Sequence, residues 1–208
     1  MFNPLVIFIA GPSGSGKTTL AKGLVNKWGQ DQIAYISSDS YYKDHSEISF
    51  EEREKLNYDA PSAIDFKLMT EQIKELKNNK TIMMPQYDFG NHARSSKQLT
   101  QEPRPIIIVE GILILAIENL RQEANHSLYL DTQLDVCLMR RIRRDCMERQ
   151  RTVESVLNQY EKTVHPMLIK YVLPSRQYAS CLFEDGGPVP AAMSYLNEII
   201  ASKLELVS

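Results

Sequence analysis

The sequence is poor in cysteine, and its three cysteines form no recognisable pattern. Cys137, Cys146 and Cys181 are widely spaced, without a CxxC pair or nearby histidine partners. An odd, scattered set argues against a disulfide framework and against a zinc site, and it favours a reducing compartment. We therefore expect a cytoplasmic protein.

Long apolar runs and an excess of one charge are also missing. The longest apolar runs are 5–10, 106–109 and 112–117, whereas a membrane helix needs about 20 apolar residues. No Lys or Arg precedes Lys17, so a secretory signal is not expected. Lys and Arg number 24 against 26 Asp and Glu, a net charge of −2. This balance disfavours generic binding to nucleic acid or to an anionic membrane and leaves room only for a local basic cluster.

What the sequence does contain is typical of a globular domain. At roughly 150 residues per domain, the 208 residues predict a single domain over 1–208. The apolar fraction is 43% and the charged fraction 24%, both ordinary for such a domain. A chain of this length buries about 70% of its unfolded surface, so its stability needs no disulfide or metal.

Short apolar runs alternate with helical patterns along the chain. The predicted strands are 5–10, 33–37, 81–85, 106–109, 127–131 and 181–183. The predicted helices are 17–28, 66–78, 114–124, 134–171 and 191–204. Residues 41–62 are expected to be irregular, and 86–98 to form a loop. Continuous apolar strands alternating with helices predict an α/β fold, a parallel sheet with helices on both faces, whose ligands bind at the carboxyl ends of the strands.

A glycine-rich segment follows the first predicted strand. Residues 11–18 match G-x-x-x-x-G-K-[ST] at every fixed position, between a strand and a helix. Glycines allow several backbone N–H groups to point at phosphate oxygens, and the helix N-terminus adds its positive end. Lys17 is expected to contact the β- and γ-phosphates, and the Thr18 hydroxyl to hold Mg²⁺. The predicted nucleotide-binding residues are Gly11, Ser13, Gly14, Ser15, Gly16, Lys17, Thr18 and Thr19.

Two carboxylates follow other predicted strands. Asp39 comes after strand 33–37, and Glu110 after strand 106–109. Such residues are often only turn or cap residues. Beside a phosphate-binding segment, however, a carboxylate can hold Mg²⁺ or take the proton of an attacking hydroxyl. Asp39 is our candidate base, and Glu110 our candidate organiser of Mg²⁺.

Taken in order, the motifs resemble those of the uridine kinases (uridine–cytidine kinases), a group of phosphoribulokinase-like P-loop kinases. The resemblance runs along nearly the whole chain, whereas the glycine-rich segment alone would also suit a guanylate kinase. The matching pieces are residues 11–19, 38–42, Asn57-Tyr58-Asp59-Ala60-Pro61 with Ile64-Asp65, Pro85-Gln86-Tyr87-Asp88-Phe89 with His92 and Arg94, 109–113, 140–145 with Glu148, Arg149 and Arg151, and 159–164.

The resemblance implies a fold, an activity and site residues. The fold would be a P-loop NTPase-type parallel sheet flanked by helices, with a small β insert at about 81–100 for nucleoside binding and a helical lid at about 140–165. The activity would be transfer of a phosphate from ATP or GTP to the 5′-hydroxyl of uridine and cytidine, in pyrimidine salvage. Relatives of this kind also suggest a homotetramer.

By motif match, Asp39 falls at the family's base position, and Thr18 and Glu110 at its Mg²⁺ positions, with Asp39 beside them. Asp59 and Arg141, with Gln159 nearby, fall where the family holds the ribose hydroxyls. Positions that contact the pyrimidine or surround its ring are Tyr42, Tyr58, Tyr87, Phe89 and His92.

The chemistry of these side chains supports the roles. A Tyr hydroxyl and a neutral His can each donate or accept, so both uracil and cytosine could be bound. A buried carboxylate that accepts from a 2′-hydroxyl should discriminate against deoxyribonucleosides.

Six arginines lie within residues 140–151. Such a cluster is usually a solvated or nucleic-acid-binding face. Next to a phosphate-binding segment, we interpret it instead as a lid that brings permanent positive charge to the transferred phosphoryl group. Our candidates are Arg141, Arg144 and Arg149.

The chain departs from the family at two places. Gln150 stands between Arg149 and Arg151, at a position where relatives commonly have Gly. If that backbone needs a positive φ, Gln costs about 1 kcal/mol there. Near the end, Glu184-Asp185-Gly186-Gly187-Pro188 replaces a basic residue and paired glycines, which leaves the choice between ATP and GTP open.

Three other functions stay open on sequence grounds. One is a related kinase that acts on a phosphosugar or on pantothenate, against which the segment from Tyr87 to His92 argues. Another is a P-loop switch or motor, although no N-K-x-D guanine motif occurs. The third is a nucleotide-binding scaffold without catalysis, which the presence of Lys17, Thr18, Asp39 and Glu110 disfavours.

Overall fold

A five-stranded parallel sheet forms the centre of the computed structural model, which describes residues 3–184 and 189–206. The sheet order is β2-β5-β1-β6-β7, and a separate antiparallel pair joins β3 to β4. The strands are β1 (Leu5–Ala10), β2 (Ile33–Ser37), β3 (Ile82–Asp88), β4 (Ala93–Gln101), β5 (Ile106–Gly111), β6 (His126–Asp131) and β7 (Cys181–Glu184). The parallel sheet predicted from the apolar runs is confirmed.

Helices cover both faces of this sheet. They are α1 (Lys17–Trp28), α2 (Phe50–Arg53), α3 (Phe66–Lys77), α4 (Glu118–Arg121), α5 (Leu134–Glu148), α6 (Val153–Gln159), α7 (His165–Met167), α8 (Leu173–Ser175) and α9 (Val189–Glu205). Because side chains alternate along a strand, Val6, Phe8 and Ala10 of β1 join one core with α3, while Ile7 and Ile9 join a second core with α1 and α9. In the part of the chain that the structure describes, none of the helices has the length and apolar character needed to cross a membrane.

The segment predicted as a loop over 86–98 is instead a β-hairpin. Strand β3 continues to Asp88, and β4 pairs with it in antiparallel register. Strand β4 carries mainly exposed polar side chains, so it lacks the alternation that identifies a half-buried strand. Arg94 attaches the hairpin to the segment that follows β2, since its Nε donates to Tyr42 O at 3.1 Å and its Nη2 to Tyr41 O at 3.3 Å.

The helix predicted over 114–124 is mostly loop. Only α4 is helical there, and Leu113, Ile114 and Leu115 are fully buried in the first core as an irregular segment. A run of consecutive apolar residues has no helical periodicity, so its burial does not identify a helix.

The helix predicted over 134–171 is interrupted at residues 149–152. Helix α5 ends at Glu148, and Gln150 adopts a φ of 55° in the turn before α6. Gln150 therefore has the positive φ at which a residue other than glycine is strained, because its backbone lies in the left-handed region that favours glycine.

Beyond α6 the helical path has two wider turns, the π-helical segments Tyr160–Val164 and Leu168–Val172. In each, the residue after the segment donates its N–H to the carbonyl five residues back, and the next residue is a proline, Pro166 or Pro174. A proline ring clashes with the carbonyl four residues back, so a wider turn before it keeps the helix going.

Candidate active site

The glycine-rich segment 11–18 (the phosphate loop) joins β1 to α1 and leaves the start of that helix open. Gly16 precedes α1 with a φ of 101° and has no side chain to cap it. The first intrahelical bond runs from Leu20 N to Gly16 O, so the N–H groups of the first turn have no acceptor within the helix. This is the arrangement that binds phosphate.

Lys17 lies across the phosphate loop and is 6% exposed. Its Nζ donates to Pro12 O at 2.9 Å. Burial lowers its pKa, while the carboxylates of Glu110 and Asp39 act in the opposite direction. The ammonium group is therefore held next to the two acidic residues predicted for the site.

A cavity of about 840 Å³ (the loop cavity) opens over the phosphate loop. Its lining includes Ser13, Gly14, Gly16, Lys17, Thr18 and Thr19, together with Asp39 and Glu110. The other two residues predicted to bind the nucleotide lie beneath the loop. A Cβ on Gly11 would come within 2.6 Å of Leu130 O, and the buried Ser15 closes the turn through its N–H to Pro12 O.

Glu110 lies at the carboxyl end of β5 and is 4% exposed. Its Oε1 accepts three hydroxyl groups: Ser37 Oγ at 2.8 Å, Tyr35 Oη at 3.1 Å and Thr18 Oγ1 at 3.2 Å. Burial first, and then the nearby Asp39, raise the pKa of Glu110, whereas Lys17 lowers it. The three contacts share one oxygen, which leaves Oε2 outside them.

These oxygen atoms suit Mg²⁺. The ion binds hard oxygen ligands and commonly takes only one or two carboxylates plus phosphates and waters. Among residues 3–184 and 189–206 there is no cluster of three or more His, Cys, Asp or Glu side chains arranged to hold a metal. A site made of the Thr18 hydroxyl and the Glu110 carboxylate, with Asp39 beside them, needs no such cluster.

A second cavity, of about 450 Å³, lies beside the first (the aromatic cavity). All eight residues predicted to bind the nucleoside line it: Tyr42, Tyr58, Asp59, Tyr87, Phe89, His92, Arg141 and Gln159. They come from the β3–β4 hairpin, from the segments after β2 and before α3, and from α5 and α6. The volume is within the usual range for small-molecule sites.

Aromatic rings form one wall of the aromatic cavity. Tyr58 stacks on His92 with ring centroids 5.1 Å apart, and Tyr42 meets Tyr58 edge to face at 5.6 Å. The buried hydroxyls of Tyr58 and Tyr87 have no hydrogen-bond partner among the described residues. Burial raises the pKa of Tyr87 and lowers that of His92. Both side chains therefore favour their neutral forms, which can donate as well as accept.

Polar side chains form the opposite wall. Asp59 is 6% exposed, and its Oδ2 accepts Thr163 Oγ1 at 3.4 Å. Arg141 Nη2 donates to Gln159 Oε1 at 3.0 Å, whereas its Nη1 lies 4.0 Å from Asp59 Oδ1. Burial raises the pKa of Asp59, and Arg141 opposes that shift. The Asp59 carboxylate thus retains capacity to accept hydrogen bonds from a ligand.

Asp39 lies between the two cavities and lines both. It belongs to the turn Ser38–Tyr41 that directly follows β2, and its N–H donates to Ser37 Oγ at 3.4 Å. Arg144 and Arg149 also line both cavities. The predicted base and two predicted arginines therefore meet at the border between the phosphate loop and the aromatic cavity.

The family model described as the Phosphoribulokinase / Uridine kinase family matches residues 6–190. The chain belongs to this family. A uridine kinase of Escherichia coli (strain K12) is 44% identical over 205 residues, which cover 97% of this chain and 96% of that protein. A uridine kinase of Streptococcus equi subsp. zooepidemicus is 43% identical over 201 residues and 97% of each chain. The resemblance found in the motifs is confirmed.

Solved structures of distant kinases share the fold of this phosphoribulokinase and uridine kinase family member. A phosphoribulokinase from Rhodobacter spheroides superposes with a TM-score of 0.61 at 12% identity, covering 85% of this chain and 68% of that chain. A D-glycerate 3-kinase from Cryptococcus neoformans gives 0.58 at 20% identity, covering 85% and 81%. At such low identity these likenesses show the P-loop kinase fold alone.

Several polar residues of this family member's site were not predicted from the sequence. Tyr35 and Ser37 donate hydrogen bonds to Glu110. The available signal was their spacing of two residues in β2, which puts both side chains on the same face of the sheet, beside the end of β5 where Glu110 lies. Arg151 was part of the matching motifs, but its partners were not predicted: it donates to Gln159 Oε1 and, at 2.9 Å, to Ser155 Oγ. Asp145 is fully buried among arginines, and its spacing of four residues from Arg141 and from Arg149 was visible beforehand. The tail motif lies, from residue 185 to 188, outside the described residues.

Proposed function

We propose that this protein is a uridine–cytidine kinase, which transfers the γ-phosphate of ATP or GTP to the 5′-hydroxyl of uridine or cytidine and forms UMP or CMP. The observation that carries the proposal is the position of Asp39. One carboxylate borders both the loop cavity and the aromatic cavity that holds all eight predicted nucleoside-binding residues. The relatives named uridine kinase, at 43–44% identity, support the same conclusion.

The phosphate loop and Lys17 bind the phosphates of the donor in this proposal. The N–H groups at the start of α1 donate hydrogen bonds to phosphate oxygens, and Lys17 exchanges its bond to Pro12 O for the β- and γ-phosphates. Thr18, Glu110 and Asp39 are the residues that would hold Mg²⁺, which supplies neutralisation of the phosphate charge when bound. Tyr35 and Ser37 keep the Glu110 carboxylate in place for that role.

The aromatic cavity binds the nucleoside. Its ring wall packs against the pyrimidine, and neutral Tyr87 and His92 can face either the C4 carbonyl of uracil or the C4 amine of cytosine. Asp59, Arg141 and Gln159 face the ribose hydroxyls. This arrangement directs the 5′-hydroxyl toward the border with the loop cavity, where Asp39 lies.

In the transfer step Asp39 accepts the 5′-hydroxyl proton as that oxygen bonds to the γ-phosphorus. The bond from the γ-phosphorus to the bridging oxygen breaks, and ADP or GDP leaves. Arg144 and Arg149 stabilise the negative charge on the transferred oxygens. Most of the catalytic effect then comes from position and charge, as is usual for phosphoryl transfer.

A coupled assay with a substrate panel tests the proposal. We expect turnover of uridine and cytidine with ATP or GTP, weak turnover of deoxyuridine, and none of adenosine. Asp39→Asn, which keeps the shape of the side chain, serves as the matched inactive control. Turnover of a phosphosugar or of pantothenate, or nucleotide hydrolysis that does not depend on a nucleoside, would overturn the proposal.

Three finer points belong to the same proposal. We infer a homotetramer on the basis of the family resemblance, to be tested by light scattering on the purified protein, and a cytoplasmic location, to be tested by cell fractionation. The preference between ATP and GTP is measured in the same substrate panel.

A further inference from the structure

A single fully buried carboxylate, Asp145, lies at the centre of the arginine cluster. Its exposure is 0%. Its Oδ1 accepts both Nε and Nη2 of Arg144 at 2.8 Å and lies 3.6 Å from Arg149 Nη1. Its Oδ2 lies 3.5 Å from Arg141 Nε. Three guanidinium groups therefore converge on one acid.

The backbone of Asp145 also shapes the turn at residues 149–152, between α5 and α6. Its carbonyl accepts the N–H of Arg149 at 3.2 Å and that of Arg151 at 3.1 Å. These two bonds close the end of α5 and set the path through Gln150. One residue thus fixes both the direction of the chain after α5 and the side chains of the arginines around it.

The charges explain why such an acid is needed. Three permanent cations in a half-buried site repel one another, and desolvation adds to that cost. Burial and the neighbouring Arg144 lower the pKa of Arg149, and Asp145 acts in the opposite direction. With one carboxylate among them, the mutual repulsion of the three groups is reduced, and the N–H groups that Asp145 does not bind remain for phosphate oxygens.

The three arginines differ in how much they depend on Asp145. Arg141 has other partners, since its Nη1 donates to Ser13 Oγ at 3.2 Å and its Nη2 to Gln159 Oε1 at 3.0 Å. Among the described residues, Asp145 is the one side chain to which Arg144 donates hydrogen bonds. Arg144 is thus the group whose position Asp145 determines most.

We propose that Asp145 is the positioning residue of the phosphoryl-transfer site: its carboxylate holds Arg144, and with it Arg149, at the border of the two cavities before the substrates bind. The inference rests on the proposed kinase function. Preset guanidinium groups need no reorganisation as charge develops in the transition state. Asp145 itself touches neither cavity and acts only through the arginines.

A double-mutant cycle tests the inference. Asp145→Asn, Arg144→Ala and the double variant are compared with the unaltered protein, using kcat and KM for uridine and, separately, thermal unfolding. We expect Asp145→Asn to lower kcat by about 10²-fold, as for loss of one preset donor, with a smaller change in KM because Arg141 keeps its other partners. In the Arg144→Ala background the same change should cost less than about fivefold, because coupled residues are not additive.

The control is Asp135→Asn, the same chemical change at an exposed position of α5. It should leave kcat within about twofold, in line with an ordinary surface substitution. If the unaltered protein and this control phosphorylate uridine, the proposed function stands whatever the cycle shows. Absence of uridine turnover in both would count against the function instead.

Two outcomes overturn the role of Asp145. One is an equal loss of kcat in both backgrounds, which a purely structural residue would produce. The other is a lower unfolding temperature with unchanged kcat. If Asp145→Asn does not fold, Asp145→Glu replaces it in the same cycle, since it keeps the charge and displaces the carboxylate by one methylene.

Discussion

Removal of the 2′-hydroxyl from the substrate should lower kcat/KM strongly, because the Asp59 carboxylate would lose the hydrogen bond that this hydroxyl donates. Asp59 is 6% exposed, and the nearest cation, Arg141 Nη1, is 4.0 Å from its Oδ1, beyond hydrogen-bond distance. A hydrogen bond to a charged group contributes about 1.5–3 kcal/mol. Since each 1.4 kcal/mol is about tenfold, deoxyuridine should have a kcat/KM about 10–150-fold below that of uridine.

Asp59→Asn should reduce this discrimination without changing the shape of the site. The amide oxygen can still accept, but a neutral hydrogen bond contributes only about 0.5–1.5 kcal/mol, which predicts a ratio of about 2–10. The assay measures kcat/KM for both nucleosides at pH 8, because burial raises the pKa of Asp59 and a higher pH favours its ionised form.

Glu54→Gln is the matched control, since Glu54 lines the same cavity but faces no proposed ribose contact. It should keep the ratio of the unaltered protein. Equal kcat/KM for uridine and deoxyuridine in the unaltered protein would refute the Asp59 contact. An unchanged ratio in Asp59→Asn would refute it as well.

Three further changes test the turn at residues 149–152, the buried Glu110 and the β3–β4 hairpin. Gln150→Gly should raise Tm by roughly 1–3 °C, because it relieves about 1–2 kcal/mol of left-handed strain against about 0.5–1 kcal/mol of added chain entropy; calorimetry should show no gain for Gln150→Ala. Glu110→Gln should raise the Tm of the ligand-free protein more at pH 8 than at pH 5, since a raised folded pKa means stability is lost as pH rises; a lower Tm at pH 8 would contradict this. Arg94→Ala should lower Tm by about 4–8 °C, for two lost bonds of about 1 kcal/mol each, and raise KM for uridine more than KM for ATP; Lys97→Ala, exposed on the same strand, should do neither.

Three strands of the central sheet, β1, β2 and β5, were predictable because they are almost entirely apolar runs. Strands β1 and β2 have the predicted bounds, and β5 extends the predicted strand by two residues. A strand buried on both faces has no polar alternation, so apolar length alone identifies it. The hairpin could not be found this way, because β4 is polar and exposed and is held by its pairing with β3 and by Arg94.

The long helical region shows a second limit. Local pattern predicted helix over 134–171, and most of that path is helical, but Gln150 gives no local sign of a turn. The residue before each of Pro166 and Pro174 donates its N–H to the carbonyl five residues back. The helix therefore continues with a wider turn at two places where a proline in the sequence predicts that it ends. Val164, Leu168 and Val172 are buried in the interior, and their packing compensates for the unfavourable geometry of the two π-helical turns.

The candidate site was predictable in its parts and not in its contacts. Motifs supplied Lys17, Asp39 and Asp59, and the structure brings each to one of the two adjoining cavities. The contacts of Glu110 with three hydroxyls and of Asp145 with three arginines depend on residues far apart in sequence or on the break after α5. The i,i+4 spacing of Asp145 is visible in the sequence, but the break after α5 that brings Arg149 to it is not, and the contacts of Glu110 come from distant segments.

The role of Asp39 as the base is tested most directly by a single-turnover measurement of phosphoryl transfer to uridine by Asp39→Asn, at saturating ATP and uridine. With Asp39 as the group that accepts the 5′-hydroxyl proton, the transfer rate should fall by about 10²–10⁴-fold. The dissociation constant for uridine should change by less than about threefold, because the aromatic cavity keeps its other contacts. A transfer rate within a few fold of the unaltered protein would contradict the central role of Asp39.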